Sequence, residues 1–75
     1  MKCTYGDRTY TGRDAREVCE AMWHDQRFAL HATLADWMAT SARVSEAVTG
    51  RAVRTDTPEA FLYDLESAGL AEVRP

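Results

Sequence analysis

The side chains able to do chemistry in this chain of 75 residues are few and scattered. Cys3, Cys19, His24 and His31 are the four that suit zinc. No two of them lie at the short spacing from which zinc ligands are drawn, and Cys19 falls on an apolar stripe. Cys19 and His24 do not suit a nucleophile and base either, because their separation on a helix turns the two side chains to different sides. Asp64 with Glu66, or Glu59 with Glu66, are the nearest paired acids for general acid-base work. Neither pair sits beside a Gly-rich loop or a histidine. Gly6, Gly12, Gly50 and Gly69 all fall at turns or helix ends, which leaves no loop to cradle a phosphate. These positions predict a chain without catalytic, metal or cofactor chemistry.

What remains is recognition. Glu59, Tyr63 and Glu66 recur at steps of four and three, so they share the outer side of one helix. A tyrosine offers a large contact area with a polar tip, and flanking acids favour an Arg- or Lys-rich partner. Asp56 and Glu72 are expected to extend that patch. An alternative nucleic-acid surface would use Arg43, Arg51 and Arg54. It is disfavoured: a helix-turn-helix needs several donors on its second helix, only Arg43 is there, and the join from Phe28 to Ala32 is long. Trp23 and Trp37 lie at the edges of apolar stripes and are expected to seal the core margin rather than stack on bases.

Composition sets the bounds. A single domain of this length hides only roughly 60% of the surface its unfolded chain exposes. A hydrophobic content of 45% suits a folded chain, and no low-complexity run opposes it. A formal charge of -3 disfavours a general binder of phosphate backbones. Charge is uneven along the chain. Residues 56 to 75 carry Asp56, Glu59, Asp64, Glu66 and Glu72 against Arg74 alone, a local net of -4, whereas Arg43, Arg51 and Arg54 against Glu46 give +2 just before. Two cysteines and an N-terminal stretch without an apolar core predict a reducing cytoplasm. The longest uncharged run, Phe28 to Ala35, is far too short to span a bilayer.

The elements that must position these residues are marked by local signals. Lys2 to Thr11 reads as a β-hairpin about Gly6-Asp7, with a type II′ turn, Tyr5 opposite Arg8 and Cys3 opposite Tyr10. Cys3, Tyr5 and Tyr10 then share an inward face, and Thr4 and Thr9 the other. Thr11 and Asp14 resemble a capping box for a helix running to about Arg27, with Ala15, Val18, Cys19, Met22 and Trp23 inside. Thr33 and Asp36 repeat that arrangement for a second helix ended by Gly50. Its predicted inner stripe is Leu34, Trp37, Met38, Ser41, Ser45 and Val48, and its outer side Asp36, Ala39, Thr40, Arg43 and Ala47. Arg51 to Thr55 suits a short strand or an extended link. Thr57 then caps a third helix opened by Pro58 and closed by Gly69, with Phe61, Leu62, Leu65 and Ala68 inside and Leu70 placed to contact Leu65. Ala71 to Val73 is a candidate closing strand. The expected class is α+β: an N-terminal hairpin plus one or two short strands, with three helices on one face of the small sheet.

With that layout, the chain resembles small accessory proteins of phages and mobile elements. The likeness rests on a short hairpin carrying Tyr5-Gly6 and Tyr10-Thr11-Gly12, an Ala-rich helix, and Glu59-Ala60-Phe61-Leu62 with Leu65 and Gly69-Leu70 near the end. Within that company, anti-CRISPR proteins are often acidic, single-domain and non-enzymatic, and they occupy the nucleic-acid-binding or recruitment surfaces of a CRISPR effector. The resemblance therefore implies a stoichiometric inhibitor of a basic host nucleoprotein. The alternatives are a small DNA-binding regulator and an obligate homodimer joined through the small side of the second helix.

Overall fold

The computed structural model describes residues 1–25 and 33–75. The fold begins with the hairpin, because its turn needs only one glycine. Gly6 has φ +66° and Asp7 stays at negative φ, which is the type II′ requirement. Strands β1 (Lys2–Tyr5) and β2 (Arg8–Thr11) pair in the expected register, Tyr5 opposite Arg8 and Cys3 opposite Tyr10. The C-terminal strand β3 (Ala71–Arg74) pairs antiparallel with the other side of β1, setting Cys3 opposite Val73. The sheet order is β2-β1-β3. Cys3, Tyr5, Tyr10, Ala71 and Val73 face the helices, while Lys2, Thr4, Thr9, Thr11, Glu72 and Arg74 are exposed on the opposite face.

Helix α1 (Ala15–Asp25) starts later than the Thr11 cap implies. Asp14 is the cap, its Oδ1 accepting the Glu17 amide at 2.9 Å. Glu17 reaches back to the amide of Arg13, the residue before that cap, at 2.8 Å, so a variant of the capping box stands three residues downstream of the expected site. Thr11 is used as a strand residue instead. The expected extension of α1 to Arg27 and the Phe28 to Ala32 join lie outside the described residues.

Helix α2 (Leu34–Thr49) is capped by Thr33, whose Oγ1 accepts the Asp36 amide at 3.1 Å, and ends on Gly50 at φ +72°. Its buried line runs through Met38, Ala42 and Ser45 to half-buried Thr49, beside buried Trp37. Val48 is 73% exposed, contrary to the predicted stripe. It lies about 100° around the helix from Thr49. Ala42, in contrast, is buried, on the same side of the helix as Met38 and Ser45.

Helix α3 (Pro58–Ser67) has the anticipated start and stop: Thr57 Oγ1 accepts the Ala60 amide at 3.1 Å. At the far end the Leu70 amide donates to the Leu65 carbonyl and the Gly69 amide to that of Glu66, both at 3.0 Å, with Gly69 at φ +80°. This double hydrogen bond satisfies two carbonyls of the last turn.

The three helices lie on one side of the sheet, α1 against β2, α3 against β3 and α2 against α1 and α3, and the core lies between them. Phe61 and Trp37 form its centre, edge to face with ring centroids 5.5 Å apart. Trp37 is only 1% exposed and belongs to the middle of the core, not to its margin. Trp23 is half-buried and stacks on His24 at 4.8 Å. The segment from Arg51 to Thr55 is an extended link, not a strand. Carboxylates take the amides that a strand partner would take: Glu46 accepts from Val53 at 3.0 Å and Asp64 from Arg54 at 2.9 Å.

Candidate interaction surface

Helix α3 buries Phe61, Leu62 and Leu65. The 3.6-residue period then obliges Glu59, Tyr63 and Glu66 to point away from the core, and all three are exposed. Tyr63 is 64% exposed, one of the exposed large hydrophobic side chains among the described residues. Beside this triad is a recess of about 200 Å³ with Met1, Ala15, Leu62 and Val73 in its walls. Carboxylates and an aromatic ring thus rim a patch with an apolar floor.

The acids of residues 56 to 75 have separate surroundings. Glu66 accepts the Val73 amide of β3 at 2.9 Å. Asp64 is committed to Arg54: its carboxylate accepts the main-chain amide and Nε, each at 2.9 Å, and Nη2 at 3.1 Å. Those hydrogen bonds hold the Asp64 carboxyl below the usual carboxylate range. Asp56 lines a separate recess of about 290 Å³ with Arg16, Thr33 and Pro58. Glu72 is on the outer sheet face and pairs with Arg74. Glu59, Tyr63 and Glu66 are brought together; Asp56 and Glu72 are not part of their patch.

The basic set is divided as well. Arg43 on α2 and Arg51 beyond it are exposed and form no ion pair among the described residues, whereas the Arg54 guanidinium lies on Asp64. That leaves two of the three arginines free for phosphate.

Sequence spacing missed a second polar cluster. The Tyr10 hydroxyl donates to Asp25 Oδ2 at 2.7 Å, and Arg8 Nη1 approaches Oδ1 at 3.4 Å. The cluster borders a recess of about 430 Å³ between β2 and α1, which Thr9 and Ala21 complete. Burial, and then the hydrogen bond and charge of Asp25, push the Tyr10 phenol up to about 12. No local signal announces this contact, since its partners lie 15 residues apart.

Cys3 and Cys19 are buried free thiols. Burial raises both, Cys19 to about 12, so neither is held as a thiolate nucleophile. Among the described residues no three His, Cys, Asp or Glu side chains are grouped to hold a metal ion, and His31 lies outside them. No helix among the described residues is long and apolar enough to cross a membrane. No protein-family model matches the chain, and no curated protein or solved structure matches it.

Proposed function

We propose that the chain is a non-catalytic protein-binding module whose docking face is the exposed side of α3, and whose partner presents Arg or Lys side chains. The observation that carries this reading is Tyr63, 64% exposed between Glu59 and Glu66 and beside an apolar recess. A guanidinium lying on the Tyr63 ring would gain cation–π attraction while the flanking carboxylates supply charge complementarity. In its finer form, the module is a stoichiometric inhibitor of a basic nucleoprotein, such as a CRISPR effector subunit, in a bacterial cytoplasm. The DNA-binding alternative is weaker because Arg54 already has Asp64 as its partner.

The test is affinity capture from bacterial lysate with the natural chain and with a Glu59→Lys/Tyr63→Ala double variant, altered at two exposed positions. Recovery of a basic partner by the first and its loss from the second is the expected result. Equal recovery by both, with unchanged circular dichroism, removes this face from consideration. Glu66 is left intact in that variant because its carboxylate closes the β3 edge.

A further inference from the structure

The two edges of the sheet are treated differently. On the β3 edge, the outward Val73 amide is taken by Glu66. On the β2 edge no described side chain takes an outward amide in this way. Met1 and Gly12 exchange main-chain hydrogen bonds at 2.9 and 3.1 Å, which sets the phase of the β1–β2 ladder. Cys3 with Tyr10 and Tyr5 with Arg8 are then hydrogen-bonded pairs, so the amides and carbonyls of Thr9 and Thr11 turn away from β1. Those groups have no partner among the described residues, and both threonines are exposed. The recess between β2 and α1 lies alongside, bordered by Arg8, Thr9, Tyr10 and Asp25.

We propose that a second copy of this chain adds to β2, antiparallel and centred on Tyr10, to make one continuous six-stranded sheet. The strand is self-complementary in that arrangement. Thr9 of each copy pairs with Thr11 of the other, and each pair exchanges two main-chain hydrogen bonds. The two Tyr10 residues meet on the helix-covered face as a cross-strand aromatic pair. Arg8 falls opposite Gly12 of the second copy, so no like charges oppose one another. Beyond the strand, the turn residue Asp7 and Arg13, which follows β2, come near each other at both ends of the pairing. Arg13 is 90% exposed and held by Glu17 at 2.7 Å, already extended toward solvent. An open edge with two-fold charge complementarity recruits its own copy in preference to an unrelated strand.

A four-residue edge buries little area, so the association is weak and is read at high concentration. Sedimentation equilibrium from about 10 μM to about 1 mM is expected to show a monomer–dimer equilibrium. Thr11→Pro removes an outward amide at a position where an edge strand tolerates proline, and is expected to weaken dimerisation at least about tenfold. Asp7→Arg, in the exposed turn, is expected to weaken it several-fold. Amide exchange supplies a readout without any variant: the Thr9 and Thr11 amides gain protection as concentration rises, while that of Val73 does not change. A monomer throughout the range overturns the proposal. So does a dimer indifferent to both substitutions, or protection that rises elsewhere and not at Thr9 and Thr11.

Discussion

Asp64 on α3 accepts three hydrogen bonds from Arg54, one from its main chain and two from its guanidinium, across ten residues of sequence. The contact pins the extended link to the third helix and removes one acid and one arginine from the surfaces available to partners. Asp64→Asn is therefore expected to lower the unfolding midpoint at neutral pH. The folded carboxyl is held below its ordinary 3.8, so the stabilisation is fully present above that value and disappears as pH falls through the lowered one. Denaturation of both proteins across that acid range checks this. A difference that stays constant down to the lowest pH would sink the assignment.

Phe61 and Trp37 pack edge to face at the centre of the core. Phe61→Ala is expected to cost about 3 to 5 kcal/mol, a large share of the total for a domain this small. Val48→Ala, at a position 73% exposed, is expected to cost less than about 0.5 kcal/mol. Urea unfolding of the two variants measures both. Comparable losses would mean that Val48 is packed in solution and not exposed.

The Tyr10 phenol donates to Asp25, joining β2 to the last turn of α1. Tyr10→Phe is expected to remove about 1 kcal/mol at neutral pH. Because the folded phenol titrates near 12 and not at its ordinary 10.0, that contribution is intact below pH 10 and is lost as pH rises through about 12. Thermal melts of both proteins at neutral pH and across that alkaline window test the sign. A phenylalanine variant that matches the parent at pH 7 would contradict it.

Cys3 and Cys19 are expected to resist alkylation in the native protein at pH 8 and to react promptly in denaturant, since both thiols are buried and raised. Iodoacetamide labelling followed by mass spectrometry distinguishes the two states. Rapid labelling of either cysteine in buffer alone would place it at the surface.

Much of the fold was legible because its signals are local. The hairpin register follows from one positive-φ glycine and the alternation of side chains, and the caps of α2 and α3 from residues within four positions of each helix end. The start of α1 was legible only in kind: Thr11 with Asp14 reads as a capping box, but β2 continues through Thr11 and the cap falls at Asp14. In α2, hydropathy favours Val48 over Ala42 as a core residue. Packing buried the alanine and left the valine outside, because the face of α2 that meets the core is the one that carries Met38, Ala42 and Ser45.

The candidate surface divides along the same line. Glu59, Tyr63 and Glu66 share an exposed face because an α-helix with Phe61, Leu62 and Leu65 buried can place them nowhere else, and the amino-acid order alone determines that. The apolar recess beside them, the closure of the β3 edge by Glu66 and the capture of Arg54 by Asp64 were decided by tertiary structure. Each joins residues whose separation along the chain carries no information about distance until the sheet and helices are packed.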